Sequence, residues 1–560
     1  MNKTPDELVF AALGGVGEIG MNLGLYGFGP KHKRKWLAVD LGISFAGPDI
    51  PGIDIIMPDV SFLEAERGNL VGLVLTHGHE DHVGALVDLW PRLGCPVYTT
   101  PFTAALAEAR RLNEPGAPKI PFHIIPSGDR VQIGPFNVEF VPVAHSIPDS
   151  HALALRTELG LVVHTGDWKI DPTPVVGNIT DPARFTALGD EGVRAVVCDS
   201  TNAIRDGISP SETDVQAVLT ELIKAAPYRV AVTTFASNVA RIRSVAEAAI
   251  QAGREVVLVG RAMERVIGVA REQRLLDGLL AFRSVEAYGY LPREKVVAIL
   301  TGSQGEPRAA LARIADDDHP EIALSPGDHV IFSSRTIPGN ERAVGRIINA
   351  LILDGVKVIT DRDGLVHVSG HPRRGELEQM YTWLRPEISV PVHGEALHLH
   401  EHGELARRMG AKKVVRILDG DVAVLVSGDP ARSGEVTDKL PVGKLYKDGH
   451  VLVSANDPAV AERRRLSFAG LISVAIAMTP KGDVVGDPMI DLSGLPERVH
   501  GGKPIDEVIE DAVLDCLDTL PKPRRRDPDQ VAESVTRAVR GQVNAVWGKK
   551  PLCHVLVITV

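Results

Sequence analysis

The chain has 560 residues, of which 44% are apolar and 24% are charged, a balance that is ordinary for a globular protein. This length is too great for one compact core, so we expect about three units of roughly 100–200 residues each. The formal net charge of −11 excludes binding to nucleic acid through a broadly basic surface, so RNA binding requires positive charge that is local or supplied by bound metal ions.

Membrane insertion, secretion and a disulfide framework are not expected. No apolar run approaches the roughly 20 residues that a membrane span needs. The first ten residues, MNKTPDELVF, include acids and have no cationic region leading into an apolar one. The four cysteines lie far apart without a CxxC spacing: Cys95, Cys198, Cys516 and Cys553. We therefore expect a cytoplasmic protein with reduced thiols.

Short apolar strands that end in polar turns are predicted over the first two hundred residues. The strands are Leu70–Thr76, Val138–Ala144, Leu161–Thr165 and Ala195–Cys198. Each is followed directly by histidine, glycine or aspartate. This pattern is typical of a sheet whose rigid strands present reactive side chains on the loops at their ends.

From about Ser211 the pattern changes to alternating strands and helices. The predicted elements are strand Arg229–Thr234, helix Ala240–Ala252, strand Glu255–Val259, strand His329–Ser333, helix Arg342–Leu353 and strand Lys357–Thr360. Such alternation indicates parallel βαβ units. Polar motifs resume afterwards at His367–His371 and His393–Glu395, so this α/β domain is predicted to be inserted rather than appended.

The last part of the chain is predicted to form a separate small domain. The stretch Ser427–Asp448 is rich in glycine, proline and charge, which favours a linker. The predicted elements beyond it are a buried strand at Leu471–Met478, helices at Ile505–Leu517 and Pro528–Val546, and a terminal strand at Cys553–Val560.

The segment LVLTHGHEDHVG, residues 73–84, carries the strongest chemical signal. Four candidate ligands follow its strand within six residues: His77, His79, Asp81 and His82. Gly78 lets the chain turn there without a Cβ clash. Imidazole and carboxylate ligands suit Zn²⁺ or Mn²⁺. A lone His-x-His pair is more often a structural feature than a metal site, but four donors at this spacing favour metal binding.

Three further donors follow other predicted strands. They are His145 in AHSIPDS, Asp167 in HTGDWK and His393 in PVHGE. Each alone is more often a structural polar residue than a ligand. Together with the first segment they supply six or seven donors, enough for two ions with a position left open for water. Two ions can stabilise both the attacking and the leaving oxygen of a phosphate displacement.

Two other turns are candidate phosphate contacts. In HVSGH, Ser369 and the amides around Gly370 can donate to phosphate oxygens, and His371 can contact the scissile group or protonate the leaving oxygen. The alternative is a Ser-Gly turn that only ends a strand. FASN, residues 235–238, lies at a predicted strand-to-helix junction, where amides at a helix start form an anion site. The alternative there is that Ser237 or Asn238 only caps the helix.

These motifs, read together, resemble the β-CASP nucleic-acid-cutting branch of the metallo-β-lactamase superfamily, and most closely the bacterial ribonuclease J family. The resemblance rests on ten segments in the order that the family shows: LGGVGEIGMN (13–22), HGHEDH (77–82), HSIPDS (145–150), TGDWK (165–169), DSTN (199–202), FASN (235–238), TGSQGEP (301–307), IPGN (337–340), HVSGH (367–371) and PVHGE (391–395). It spans almost the whole chain.

The resemblance implies a fold and a domain order. The fold is of the α/β class: an αββα metallo-β-lactamase sandwich with an inserted β-CASP α/β domain and a small C-terminal α+β domain. The implied segments are residues 1–210 and 367–426 for the sandwich, 211–366 for the β-CASP domain, 427–449 for a linker and 450–560 for the C-terminal domain.

The resemblance also implies a site. His77, His79 and His145 bind one ion, Asp81, His82 and His393 bind the other, and Asp167 bridges them. The implied catalytic residues are Asp81, Asp167 and His371. The implied substrate-binding residues are Ala236, Ser237, Asn238, His367, Val368, Ser369, Gly370 and His371.

The implied activity is that of a metal-dependent 5′-to-3′ exoribonuclease that prefers 5′-monophosphorylated RNA and also cuts internally, acting in RNA maturation and decay. Two Zn²⁺, or alternatively Mn²⁺, would be bound per subunit. The expected partners are single-stranded RNA, further copies of the chain in a homodimer or homotetramer, and other RNA-decay proteins, with no membrane.

Some alternatives stay open at this point. A small-molecule hydrolase of the same superfamily would share the metal motif, and a metal-free RNA-binding scaffold would share the fold. An extra structural divalent cation near Asp54 or Asp448 is a further option. The basic cluster KHKRK, residues 31–35, is predicted to be a solvated hairpin tip, with RNA contact as its alternative.

Overall fold

A computed structural model describes residues 6–499 and 502–560. Residues 1–5, part of the segment predicted to carry no secretory signal, lie outside the described residues. The chain forms two compact units: Met1–Ser44 with Ile56–Lys444, and Phe45–Ile55 with Leu445–Val560. Within the described ranges, no helix is both long enough and apolar enough to cross a lipid bilayer.

Two sheets form the core of the larger unit. The first has eight strands, in the spatial order Val436–Lys439, Asp421–Ser427, Glu7–Gly14, Leu23–Gly29, Lys35–Val39, Leu70–Val74, Val97–Thr99 and Phe122–Ile124. The second has seven, in the order Lys413–Val414, Ile388–Val392, Val193–Asp199, Gly160–His164, Ser150–Thr157, Phe136–Val143 and Arg130–Ile133. Apolar side chains such as Phe10 of the first sheet and Phe140 of the second share one buried core.

Helices complete the sandwich. Phe185, Leu377 and Leu405 pack in a second apolar core with strands of the seven-stranded sheet. The helices of this region are Ser61–Ala65, Glu80–Val83, Leu86–Leu93, Pro101–Arg111, Pro182–Glu191, Arg374–Leu384 and Ala396–Arg408, with a 3₁₀ turn at Pro430–Arg432. The late strand Ile388–Val392 lies parallel to Val193–Asp199, so the chain returns to the sheet that it left. The predicted fold class is confirmed.

The residues between the strands Val193–Asp199 and Ile388–Val392 include a parallel sheet of five strands. Their spatial order is Glu255–Val259, Val296–Leu300, Val230–Thr233, His329–Phe332 and Lys357–Ile359. The helices here are Glu212–Ala225, Val239–Gln251, Arg261–Glu272, Ala310–Ala315 and Glu341–Leu353, with 3₁₀ turns at Val285–Gly289 and Arg293–Lys295. The prediction of parallel βαβ units is confirmed.

The smaller unit contains a three-stranded sheet in the order Met489–Ser493, Leu471–Met478 and Leu552–Thr559. Its helices are Pro458–Ala469, Ile505–Thr519, Lys522–Arg525 and Pro528–Trp547. The strand Leu471–Met478, predicted to be buried, is buried at every second residue, because only one face packs on helices. The remaining strands are Ser44–Phe45, Ile55–Pro58, Lys444–Asp448 and Val451–Ser454. The predicted linker, residues 427–449, therefore contains strands.

One residue of the basic cluster differs from the prediction. Residues 31–35 do connect two strands, but Arg34 is only 5% exposed. Its Nη2 lies 2.5 Å from Oε2 of Glu7, which is fully buried. The prediction of a solvated tip is therefore wrong for Arg34, because a buried carboxylate requires a charged partner.

A buried ionic network joins the sandwich to the inserted domain. Arg241 Nη2 donates to Glu212 Oε2 at 2.9 Å, and Lys169 Nζ lies 2.9 Å from Asp171 Oδ2 and 3.6 Å from Glu212 Oε1. Arg241 also donates through Nη1 to Ser333 Oγ and to the carbonyl oxygen of Val366. These groups fix the start of the inserted domain against its return segment.

Replacing Arg241 by methionine is expected to lower the free energy of unfolding by about 3 kcal/mol, because Glu212 then keeps a buried charge with only Lys169 nearby. Urea denaturation checks this value. In Glu212→Gln/Arg241→Met both charges are gone, so the loss should be smaller than the sum of the two single losses. Arg346→Met, which breaks the exposed pair with Asp316, is the control and should cost less than about 1 kcal/mol. If Arg241→Met lowered the free energy of unfolding no more than Arg346→Met does, the prediction would be contradicted.

Candidate metal centre

Strand ends bring the candidate ligands to one place. The strand Leu70–Val74 leads into a turn, and the short helix Glu80–Val83 begins after His79, so Asp81 and His82 lie on its first turn. A Cβ on Gly78 would lie 2.9 Å from Leu106 Cδ1, which explains the glycine. His145, Asp167 and His393 follow strands Phe136–Val143, Gly160–His164 and Ile388–Val392 of the second sheet.

Three histidine nitrogens form the first group of donors. His79 Nδ1 lies 3.1 Å from His77 Nε2 and 3.0 Å from His145 Nε2. His145 Nδ1 donates to the carbonyl oxygen of Gly370 at 2.7 Å, so its Nε2 presents a lone pair to the group. Burial lowers the pKa of His77 and of His145 well below the usual value, and that of His79 to about 4. All three rings are therefore neutral donors.

Asp81, His82 and His393 form the second group. Asp81 Oδ2 lies 3.6 Å from His82 Nε2 and 3.5 Å from His393 Nε2. His393 Nε2 is buried and has no hydrogen-bond partner. Burial lowers the pKa of His82 and of His393, but nearby carboxylates, above all Asp167, outweigh it and raise both. The carboxylates on this side of the site therefore favour positive charge there.

Asp167 lies between the two groups. Its Oδ2 is 3.2 Å from His82 Nε2 and 3.8 Å from both His77 Nε2 and His145 Nε2, and its Oδ1 is 2.8 Å from His393 Nδ1. Burial raises its pKa, but the histidines around it, first His393, hold the pKa well below the usual range. It is therefore a carboxylate that belongs to both groups.

The donor set fits divalent metal ions. Within each group the ligand atoms lie within 4.8 Å of one another. Neutral nitrogens converge in the first group, and the second group holds the half-buried Asp81, the buried Asp167 and an unpartnered nitrogen. Such sets of donors are what a cation satisfies. A third group, formed by Asp167, Asp199, His371 and His393, overlaps the first two.

Two supporting carboxylates were missed by the sequence reasoning. Asp40 Oδ2 accepts from His82 Nδ1 at 2.7 Å and also binds the Thr76 hydroxyl, which orients the His82 ring. Asp199 Oδ2 accepts from His371 Nδ1 at 2.8 Å. Asp199 had a signal, because it follows the predicted strand Ala195–Cys198 and begins the DSTN segment. Asp40 had none, because the strand that it follows, Lys35–Val39, was not predicted.

The HVSGH segment lies beside the donors. Asn202 Nδ2 donates to Ser369 Oγ at 2.8 Å and to the carbonyl oxygen of His371 at 3.1 Å, which fixes the turn. Burial lowers the pKa of His371, but Asp199 and then Asp167 outweigh it and raise the pKa to about 9. Val368 instead points into the apolar core of the inserted domain, and His367 is half-buried, with a buried Nδ1 that has no hydrogen-bond partner.

The FASN turn is at the start of helix Val239–Gln251, as predicted. Asn238 Oδ1 accepts from Arg241 N at 2.9 Å, so Asn238 caps the helix. Ala236 and Ser237 are half-buried. Among the described residues, no hydrogen bond connects this turn to the metal donors.

The extra cation is not supported. Asp448 Oδ2 accepts from Arg463 Nη2 at 2.6 Å, so a guanidinium already neutralises it. Over residues 6–499 and 502–560, neither Asp54 nor Asp448 belongs to a group of metal donors.

Four models of known protein families match most of the chain. Residues 33–236 match the model of the metallo-β-lactamase superfamily, and residues 355–418 match a Zn-dependent metallo-hydrolase RNA specificity domain. Residues 227–351 match the β-CASP domain of ribonuclease J, and residues 458–560 match the ribonuclease J C-terminal domain.

Curated relatives agree with these matches. Ribonuclease J of Sinorhizobium meliloti is 53% identical over 99% of this chain and 98% of the relative. Ribonuclease J of Mycolicibacterium smegmatis is 37% identical, over 99% and 98%, and that of Thermus thermophilus is 34% identical, over 93% and 94%.

A solved structure shares the fold. It is a protein of unknown function from Enterococcus faecalis V583, with a TM-score of 0.52 and 16% identity over 75% of this chain and all of that one. Neither a small-molecule hydrolase nor a metal-free scaffold is supported by the curated relatives. The chain belongs to the ribonuclease J family and is a metal-dependent ribonuclease.

Proposed function

We propose that this ribonuclease degrades single-stranded RNA from the 5′ end, prefers a 5′-monophosphate and also cuts internally. The observation that carries the proposal is the convergence of seven donors, centred on Asp167, beside a histidine that is hydrogen-bonded to a carboxylate. Two turns able to donate to phosphate, 236–238 and 367–371, belong to the inserted domain and to its return segment. A small ester would need neither.

The ligand assignment follows the two donor groups. His77, His79 and His145 would hold one ion, and Asp81, His82 and His393 the other, with Asp167 shared between them. Zn²⁺ and Mn²⁺ both accept these ligands. Such ions lower the pKa of water and neutralise charge on a phosphate.

The chain's own residues orient the reactants. Asp81, whose side chain is 30% exposed, and the buried Asp167 can orient the attacking water. His371 is 21% exposed at its side chain, and Asp199 holds its Nδ1, which leaves Nε2 to donate a proton to the leaving oxygen. Ser369 can position the phosphate through its hydroxyl group.

The 5′ preference requires a terminal pocket at a fixed distance from the metal centre. Ala236 and Ser237 at the helix start, with the amides around Gly370, are the proposed pocket, and Asn238 contributes by holding the turn as the helix cap. RNA bound with its 5′ phosphate there is cut stepwise, and RNA that passes an empty pocket is cut internally.

Cleavage of one RNA sequence with three different 5′ ends tests this. The 5′-monophosphate form should release mononucleotides at least about tenfold faster than the 5′-triphosphate or 5′-hydroxyl form, because charge-assisted hydrogen bonds recognise the terminal phosphate. Asp81→Ala/His82→Ala is the inactive control. If all three RNAs were cut internally at equal rates, the proposed terminal pocket would be contradicted, whereas the assignment as a ribonuclease would stand.

We also propose that the chain acts as a homodimer or homotetramer in the cytoplasm together with other RNA-decay proteins. This part rests on the ribonuclease J relatives alone. Light scattering of the purified chain measures its oligomeric state, and a monomer at micromolar concentration would contradict it.

A further inference from the structure

Three arginines surround the segment His367–His371 from different parts of the chain. Arg205 follows the strand Val193–Asp199 and its DSTN turn. Arg335 follows the inserted-domain strand His329–Phe332. Arg373 immediately precedes the helix Arg374–Leu384. All three side chains are half-buried.

Backbone contacts hold the three arginines around this segment. The carbonyl oxygen of Arg205 accepts from Arg374 N at 2.9 Å, so Arg205 and Arg373 lie on neighbouring stretches. The carbonyl oxygen of Arg335 accepts from Gln304 Nε2 at 2.8 Å. Two residues before Arg335, the Ser333 hydroxyl donates to the carbonyl oxygen of Val366 at 2.7 Å. The three arginines therefore lie where the return segment of the inserted domain meets the sandwich.

None of the three arginines forms an ion pair among the residues that the structure describes, although Asp361 lies near enough to Arg205 and Arg335 to attract both charges. Their neighbour Arg374, by contrast, pairs with Glu401. The guanidinium of Arg373 has only the carbonyl oxygen of Ile208, at 3.5 Å. Burial, and then repulsion from Arg335 and Arg373, lowers the pKa of Arg205, although Asp361 opposes the shift. Burial also lowers the pKa of Arg335, although Asp361 opposes the shift.

Three positive charges held together with one nearby carboxylate, Asp361, leave an excess of positive charge that an anionic ligand can neutralise. The planar guanidinium group matches the geometry of phosphate oxygens. The chain as a whole carries a net charge of −11, so it needs a local positive region to hold a polyanion.

We propose that Arg205, Arg335 and Arg373 bind internucleotide phosphates of the RNA strand beside the metal centre. The proposal rests on the proposed function, because it takes single-stranded RNA as the substrate of that site. It adds a contact that is independent of the 5′ end: the arginines hold the strand, and the terminal pocket recognises its end.

The test measures KM for 5′-monophosphate and 5′-hydroxyl RNA over a series of salt concentrations. Arg205→Gln, Arg335→Gln and Arg373→Gln should each raise KM about tenfold for both RNAs, with kcat within twofold of the unaltered enzyme. The slope of log KM against log salt should fall by about 0.7 for each arginine removed. Arg346→Gln, which removes an exposed arginine paired with Asp316, is the matched control.

A second set of variants separates the charge of the arginines from the geometry of the guanidinium group. Arg205→Lys and Arg335→Lys keep the charge, so they should keep the salt slope while KM still rises. Unchanged KM and slope in the glutamine variants would overturn the proposal. A rise confined to 5′-monophosphate RNA would also overturn it, because the arginines would then belong to the terminal pocket. If the unaltered enzyme cut 5′-monophosphate and 5′-hydroxyl RNA equally well, only the proposed exonuclease activity would be contradicted. The dependence of KM on salt would still test the role of the arginines.

Discussion

Replacing Asp167 by asparagine is expected to lower the rate of RNA cleavage by at least about 10³-fold. Its two oxygens lie within reach of donors from both groups: 2.8 Å from His393 Nδ1 and 3.2 Å from His82 Nε2. Asparagine has one oxygen and an NH₂ group in place of two anionic oxygens. The variant therefore loses the shared ligand and a negative charge at once, which weakens both ion sites.

Metal content and activity are measured together to test this. Asp167→Asn should bind fewer than two ions per chain, and adding Zn²⁺ or Mn²⁺ should not restore cleavage, whereas the chelated unaltered enzyme should recover. Asp181→Asn is the matched control, because Asp181 caps the helix Pro182–Glu191 and asparagine caps equally well. If Asp167→Asn kept both ions and its rate, Asp167 would not be the shared ligand.

The positions of the donors were predictable because they depend on a local pattern. His145, Asp167 and His393 each come at or just after the end of a predicted apolar strand, and the ends of neighbouring strands meet at one edge of a sheet. The hydrogen-bond partners of the two supporting carboxylates do not follow from such a pattern. Asp40 is 42 residues from His82, and Asp199 is 172 residues from His371. Only the folded chain brings them together.

Charged residues show the same limit more clearly. Arg34 lies within a run of basic residues typical of a solvated tip. It is nevertheless buried, because it forms an ion pair with Glu7, which lies in the first strand of the eight-stranded sheet. Arg205, Arg335 and Arg373 have no common motif in the sequence. Their proximity depends on the inserted domain returning to the sandwich. Local sequence predicts strands and their polar ends, whereas pairing between distant charges depends on topology.

Replacing His371 by alanine is expected to lower the rate of RNA cleavage by about 10²- to 10⁴-fold, because the leaving ribose oxygen then departs without a proton. The geometry supports this role over a purely structural one. His371 is a half-buried ring whose Nδ1 is held by Asp199, and a structural histidine such as His402 is instead fully buried, with both nitrogens bonded to Ser200 and Tyr381.

A substrate whose leaving group needs no proton distinguishes the two roles. A 4-nitrophenyl ester of a nucleoside 5′-phosphate releases a weakly basic anion, so His371→Ala should slow its hydrolysis less than tenfold while RNA cleavage falls by the full factor. Asp199→Asn keeps a hydrogen-bond acceptor for Nδ1 but removes the charge, and its loss on RNA should lie between those of the unaltered enzyme and His371→Ala. Equal losses on both substrates would mean that His371 supports the metal donors rather than the leaving group, because a damaged metal centre slows both reactions alike.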